Sequence, residues 1–167
     1  MKTFLATTAL VTMSLLQSAA QPIARWKADD LVQYAAASDS FLVINFWATV
    51  CVPCVAELPY FHSVTNRYRH QKVKLLLVSM DFDDFYPDRI RSFANKRNYT
   101  AEIVWLDEEK PDAFIPKIDT AWSGSIPATL FVHRPSGYRK FVEGSISETE
   151  LEKLIQEMLK ANKPTIQ

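Results

Sequence analysis

The amino-acid sequence predicts an α/β protein with a mixed central sheet and helices on both faces. Three observations carry this. Short apolar runs alternate with segments of helical periodicity from Ala28 to Leu106, two more strand-like runs flank Arg134-Pro-Ser-Gly137, and an amphipathic helix follows Ser147. The apolar runs are nearly continuous, as expected of strands covered above and below. A length of 167 residues corresponds to one domain at about 150 residues per domain. With 48% hydrophobic residues and only three glycines, the chain has the material for a core and none of the marks of disorder. Lys plus Arg and Asp plus Glu each number 19, so no bulk positive charge attracts nucleic acid, which is excluded as a favoured partner.

Residues 3–24 carry no charge; Lys2 precedes the apolar stretch Phe4–Leu16, and Ser18 and Ala20 stand at the −3 and −1 spacing of a signal peptidase site. Residues 1–20 therefore read as a signal peptide cleaved after Ala20, leaving one domain at 21–167. A retained membrane anchor is the alternative, but residues 4–16 include three threonines and a serine and fall short of the roughly 20 apolar residues that span a bilayer. The expected product is soluble, near-neutral and exported to a disulfide-permissive compartment such as the periplasm.

In order along the chain, Leu31, Tyr34 and Ala35 share a helical face within Ala28–Ala37, and Phe41–Trp47 is a buried central strand. From Val52 to about His70, Leu58, Phe61, Thr65 and Tyr68 form one stripe, with a kink expected at Pro59. Lys74–Met80 is the next buried strand. A helix over Pro87–Arg97 has proline in its first turn and turns Ile90, Phe93 and Ala94 inward; Glu102–Leu106 is a short strand. Asp107–Ser125, broken by Pro111 and Pro116, yields no element. Ala128–His133 and Tyr138–Val142 make a hairpin around Pro135 and Gly137. The last helix opens on a Ser147/Glu150 capping box with an Ile146–Leu151 staple, and Leu151, Leu154, Ile155, Met158 and Leu159 form its apolar face.

The chemistry sits where the first buried strand runs into a helix. Cys51-Val-Pro-Cys54 starts just after Trp47, which places Cys51 at a helix N-terminus, where free amide N–H groups and the macrodipole stabilise a thiolate. Cys51 is the expected nucleophile, and Cys54, one turn on, is placed to attack a mixed disulfide and release the substrate reduced. Haem attachment requires His after the second cysteine, and Val55 stands there. Zinc requires four ligands, but there is no second cysteine pair and His62 and His70 are eight apart. An inert disulfide and metal binding by the two thiols stand beside the redox reading. Glu57, three residues after Cys54, is on the right side of the helix to take its proton; as an acid in a first turn it also compensates the dipole.

Phe46-Trp-Ala-Thr-Val-Cys-Val-Pro-Cys54, followed by Glu57-Leu-Pro59 and Ser125-Ile-Pro-Ala-Thr129, resembles the thioredoxin superfamily, in particular the exported TlpA/ResA-type thiol-disulfide reductases. The likeness runs from about Ala28 to Leu159. The helix and strand between Asp81 and Leu106 resemble an insertion carried by these exported members. The resemblance implies a thioredoxin-like fold, a cis Pro127 facing the cysteines, an Ile126 backbone free to pair with an extended substrate, and a functional Glu57. It implies that Trp47 packs beside the site and contributes to substrate binding, for which core packing is an equal alternative. Asn45 stands where plain thioredoxins have a buried acid, which shifts proton transfer to Glu57. Val50 replaces the tryptophan that usually precedes the first cysteine.

The implied activity is thiol-disulfide oxidoreduction, with no cofactor and no metal. Its partners are disulfide-containing protein substrates and an upstream, membrane-bound thiol electron donor. The uncharged Val-Pro dipeptide points to a moderate reductant. A copper-binding chaperone using the same thiols is the alternative from another class, and a disulfide oxidase or isomerase the alternative within the same one. Among other features, Asp81, Asp83 and Asp84 read as a solvated loop, Asn98-Tyr-Thr100 as a glycosylation sequon, His62 and His70 as partly exposed helix residues, and His133 as a strand end without signal.

Overall fold

The computed structural model describes residues 22–162. The expected signal peptide lies outside the described residues. Six strands form one sheet in the order β1-β4-β3-β2-β5-β6. They are β1 (Ala24–Trp26), β2 (Phe41–Trp47), β3 (Val73–Ser79), β4 (Glu102–Leu106), β5 (Ala128–His133) and β6 (Tyr138–Glu143). The first four in space are parallel; β5 runs antiparallel to β2, and β6 antiparallel to β5. The helices are α1 (Ala28–Ala37), α2 (Val52–Arg67), α3 (Asp88–Lys96), α4 (Pro111–Ile118) and α5 (Glu148–Ala161).

β2 shows why the sheet is covered twice. All seven of its residues are buried, and the two-residue period sends Phe41, Val43 and Trp47 into one core and Leu42, Ile44 and Phe46 into the other. The first core is closed by α2, α3 and α5 through Leu58, Phe61, Ile90, Leu151 and Ile155; the second by α1 and α4 through Leu31, Phe114 and Ile118. By the same alternation Asn45 faces the α2 side. β2 and β3 pair in register from Phe41↔Val73 to Trp47↔Ser79, so their C-terminal loops leave the sheet side by side. That edge is where open α/β sheets place their sites.

Two elements differ from expectation by presence. β1 has three residues, too few to show alternation, and exists through parallel pairing with β4, Ala24↔Val104 to Trp26↔Leu106. α4 forms despite two prolines: Pro111 sits in the first turn, where its missing N–H is no loss, and Phe114, Ile115 and Ile118 are buried. Other differences are of boundary. α2 continues past Pro59, as expected, but ends at Arg67 and not at His70, ahead of a short 3-10 turn closed by Lys72 at φ 61°. Pro87 caps α3 from outside instead of lying in its first turn. Ser147 Oγ accepts from the Glu150 N–H at 3.2 Å, as the capping pattern requires. No helix among the described residues is long and apolar enough to cross a membrane.

Candidate active site

β2 ends at Trp47 and the chain turns through Ala48–Val50, so that Cys51 becomes the N-cap of α2. Cys51 Sγ accepts from the Cys54 N–H at 3.3 Å, an amide of the first helical turn that has no intrahelical acceptor. The two cysteines form a disulfide, with Cα atoms 5.2 Å apart. They differ in access: Cys51 is half-buried, whereas Cys54 is fully enclosed. Of the two sulfurs, that of Cys51 is the one open to the surface.

The turn before Cys51 is held from β3. Asp81 is 5% exposed, and its carboxylate accepts from the Thr49 N–H at 2.9 and 3.0 Å, the Thr49 hydroxyl at 2.6 Å and the Ser79 hydroxyl at 2.8 Å. Its carbonyl accepts from Trp105 Nε1 at 2.8 Å. This corrects the expectation of a solvated acidic loop: Asp83 and Asp84 are exposed, but Asp81 is a buried clamp on Thr49, two residues before Cys51. Its Thr49 donors come from the loop after β2, distant in sequence, which is why the local pattern did not reveal it.

Behind the cysteines lies a buried polar chain. Asn45 Nδ2 donates to Glu57 Oε1 at 2.8 Å and to Thr129 Oγ1 at 3.1 Å, joining α2, β2 and β5. Glu57 is 1% exposed. Burial pushes its carboxyl up from 4.5 to about 7, opposed by the Asn45 amide and more weakly by the Ile146 backbone. Its Oε2 closes no hydrogen bond of good geometry among the described residues. A surface acid that merely balances the helix dipole would not be enclosed this way. A carboxyl poised near neutrality is suited to exchange a proton at physiological pH. Asn45, noted in the sequence only for what it replaces, is the group that orients it.

The Ile126–Pro127 peptide is cis, Pro127 is buried and Ile126 half-buried. The Ile126 carbonyl oxygen lies 3.9 Å from Cys51 Sγ. The ladder to β2 begins one residue beyond Pro127, at Ala128, so the Ile126 backbone stands outside the sheet. Val50, Val52 and Phe82, 48%, 79% and 71% exposed, make up most of the exposed large apolar side chains among the described residues. Val50 and Phe82 belong to the loops that leave β2 and β3 at this edge, and Val52 is the first residue of α2.

Trp47 is fully buried and packs on Phe93 with ring centroids 5.1 Å apart, which fits the core-packing reading of the two given above. The histidines divide. His70 is exposed, while His62 is half-buried, stacks on Tyr99 at 4.1 Å, and is pushed down to about 4 by burial. His133 is buried and stacked on Phe41 at 3.7 Å. Among the described residues no group of three or more His, Cys, Asp or Glu side chains converges as metal ligands do.

A family model described as the AhpC/TSA family matches residues 19–134, and the chain belongs to that family. It is 28% identical over 111 residues to the thiol-disulfide oxidoreductase ResA of Oceanobacillus iheyensis, covering 66% of this chain and 53% of that relative. The chain thus spans about half the length of that curated relative. Among solved structures, a thioredoxin-related protein from Neisseria meningitidis serogroup B superposes with a TM-score of 0.62 at 20% identity, covering 74% of this chain and 87% of that one. A secreted Mycobacterium tuberculosis disulfide oxidoreductase homologous to Escherichia coli DsbE gives a TM-score of 0.55 at 21% identity, covering 74% and 85%. The fold is thioredoxin-like, and the resemblance to ResA-type proteins read from the motifs agrees with these relatives.

Proposed function

We propose that the protein is a thiol-disulfide oxidoreductase that reduces protein disulfides. The observation that carries this reading is the pairing of a half-exposed Cys51 Sγ at the start of α2 with an enclosed Cys54, backed by a buried Glu57 poised near pH 7. In the reduced protein the Cys51 thiolate, favoured by the Cys54 N–H and the helix dipole, attacks one sulfur of a substrate disulfide; the other sulfur leaves as a thiolate and takes up a proton. The Cys54 proton passes to the Glu57 carboxylate, and the Cys54 thiolate attacks Cys51 Sγ. The substrate leaves as a dithiol and the protein disulfide is formed.

An extended substrate segment pairs with the Ile126 backbone next to Pro127, while Val50, Val52 and Phe82 give it an apolar surface. Regeneration requires an upstream dithiol donor, placed by this reading in the membrane, with the protein exported to the periplasm after cleavage at Ala20. The test is catalysis of insulin disulfide reduction by dithiothreitol. Wild type is expected to accelerate it and Cys51→Ser to abolish the acceleration. Stoichiometric copper(I) binding without any such activity would instead establish the chaperone alternative.

A further inference from the structure

The segment Ser123–Pro127 has no regular secondary structure, yet it is the one that stands against Cys51. Its anchor comes from β6. Glu143, the last residue of that strand, pairs with Ala128 in the ladder, and the next residue, Gly144, donates its N–H to the Pro127 carbonyl at 2.8 Å. The Glu143 carboxylate reaches back over the loop. Oε2 accepts from the Ser123 N–H at 3.1 Å; Oε1 accepts from the Ser125 N–H at 3.1 Å and from the Ser123 hydroxyl. The two serine hydroxyls lie 3.0 Å apart. These bonds, the Ser123 hydroxyl first, hold the Glu143 carboxyl below the usual carboxylate range. On the opposite side Trp122 Nε1 donates to the Ser125 carbonyl at 2.9 Å, and a Cβ at Gly124, which has φ 96°, would stand 2.7 Å from Ile115 Cδ1.

Glu143 and both serines are exposed, so water would satisfy every one of these groups without the carboxylate. Their convergence relieves no buried polar group. What it does is select one shape of a short loop, and a loop fixed in advance loses less entropy when something binds to it.

We propose that Glu143 is a positioning residue that holds the Ser123–Pro127 loop in the shape in which the Ile126 backbone pairs with an extended, disulfide-bearing substrate segment beside Cys51. The inference rests on the oxidoreductase reading and deepens it: the favoured substrate is a polypeptide with free backbone groups flanking its disulfide, rather than a small disulfide.

Two substrates separate the effects. Insulin offers backbone to pair with, whereas a small aromatic disulfide dye offers none and reports on the Cys51 thiolate alone. Glu143→Ala is expected to raise KM for insulin roughly five- to tenfold while kcat, and the rate constant toward the dye, stay within about twofold of wild type. Glu143→Gln keeps one acceptor oxygen and falls between. Thermal unfolding confirms that each variant is folded, and Ser123→Ala, which removes a donor from the loop side, raises KM in the same direction. An unchanged KM for insulin in folded, active Glu143→Ala overturns the role of Glu143 and leaves the oxidoreductase reading standing. Equal losses on insulin and dye also overturn it, because the damage would then lie at the cysteines. If wild type reduces neither substrate, the oxidoreductase reading itself fails and this inference falls with it.

Discussion

Replacing Glu57 by glutamine changes a carboxyl enclosed in the core into a group of the same shape that never ionises. In the folded protein burial moves its pKa from 4.5 to about 7. Below 4.5 the carboxyl is protonated both folded and unfolded and makes no difference between the two states. As the pH rises beyond that value, the unfolded chain loses the proton while the folded one keeps it, so stability falls; the fall is complete once the folded group ionises near 7. Over that interval, at about 1.4 kcal/mol per pH unit, the loss comes to about 3 kcal/mol. The glutamine carbonyl still accepts from Asn45 Nδ2. Glu57→Gln is therefore expected to match wild type near pH 4 and to exceed its stability by about 3 kcal/mol near pH 8. Guanidinium unfolding of the oxidised proteins across this range measures the difference. If Glu57 served only the helix dipole, the variant would be less stable by about 0.3–1 kcal/mol at neutral pH, the opposite sign. A difference that stays constant with pH refutes the reasoning.

The same variant is expected to keep the first attack by Cys51 and to slow release of the mixed disulfide, because only the second step takes a proton from Cys54; rapid mixing with a fluorescent disulfide substrate resolves the two phases. Asp81→Ala leaves the Thr49 amide and the Ser79 hydroxyl without their acceptor and is expected to cost about 2–4 kcal/mol of unfolding free energy, measured by denaturant titration. The helix N-terminus and an uncharged Val-Pro dipeptide place the reduction potential nearer the thioredoxin value of about −270 mV than the DsbA value of about −120 mV. Equilibration against glutathione measures it, and a value near the latter would favour an oxidase or isomerase.

The parts of the fold legible in the sequence are those whose own residues carry the signal. Phe41–Trp47 is apolar at every position but Asn45, and α5 combines a capping serine with an apolar stripe, so both stand where their patterns put them. β1 and α4 were hidden for opposite reasons. β1 is too short to show a period and depends on β4, about eighty residues away; α4 carries a strong apolar face masked by two prolines that its geometry tolerates. At the site, the Cys51/Cys54 spacing was legible because it is local, whereas the cis Pro127 followed from the family resemblance and not from its own residues. The burial of Glu57 was not legible, since it follows from Asn45 facing α2 and from the Ile146 backbone lying beside it, both supplied by other parts of the chain. Asp81 and Glu143 were illegible for the same reason: each binds a loop supplied by another strand. The burial of Trp47 was open in the sequence, because a tryptophan at a strand end next to a site serves core or substrate depending on which way its strand turns.

The central claim is a division of labour between the two cysteines, and trapping tests it most directly. Reduced Cys54→Ser and Cys51→Ser variants are mixed with a disulfide-bonded polypeptide, and the products are resolved by non-reducing electrophoresis and peptide mass spectrometry. The account predicts a stable one-to-one adduct through Cys51 in Cys54→Ser, dissolved by dithiothreitol, and none in Cys51→Ser, whose remaining thiol is enclosed. An adduct formed through Cys54, or no adduct in either variant while wild type still reduces the substrate, would contradict it.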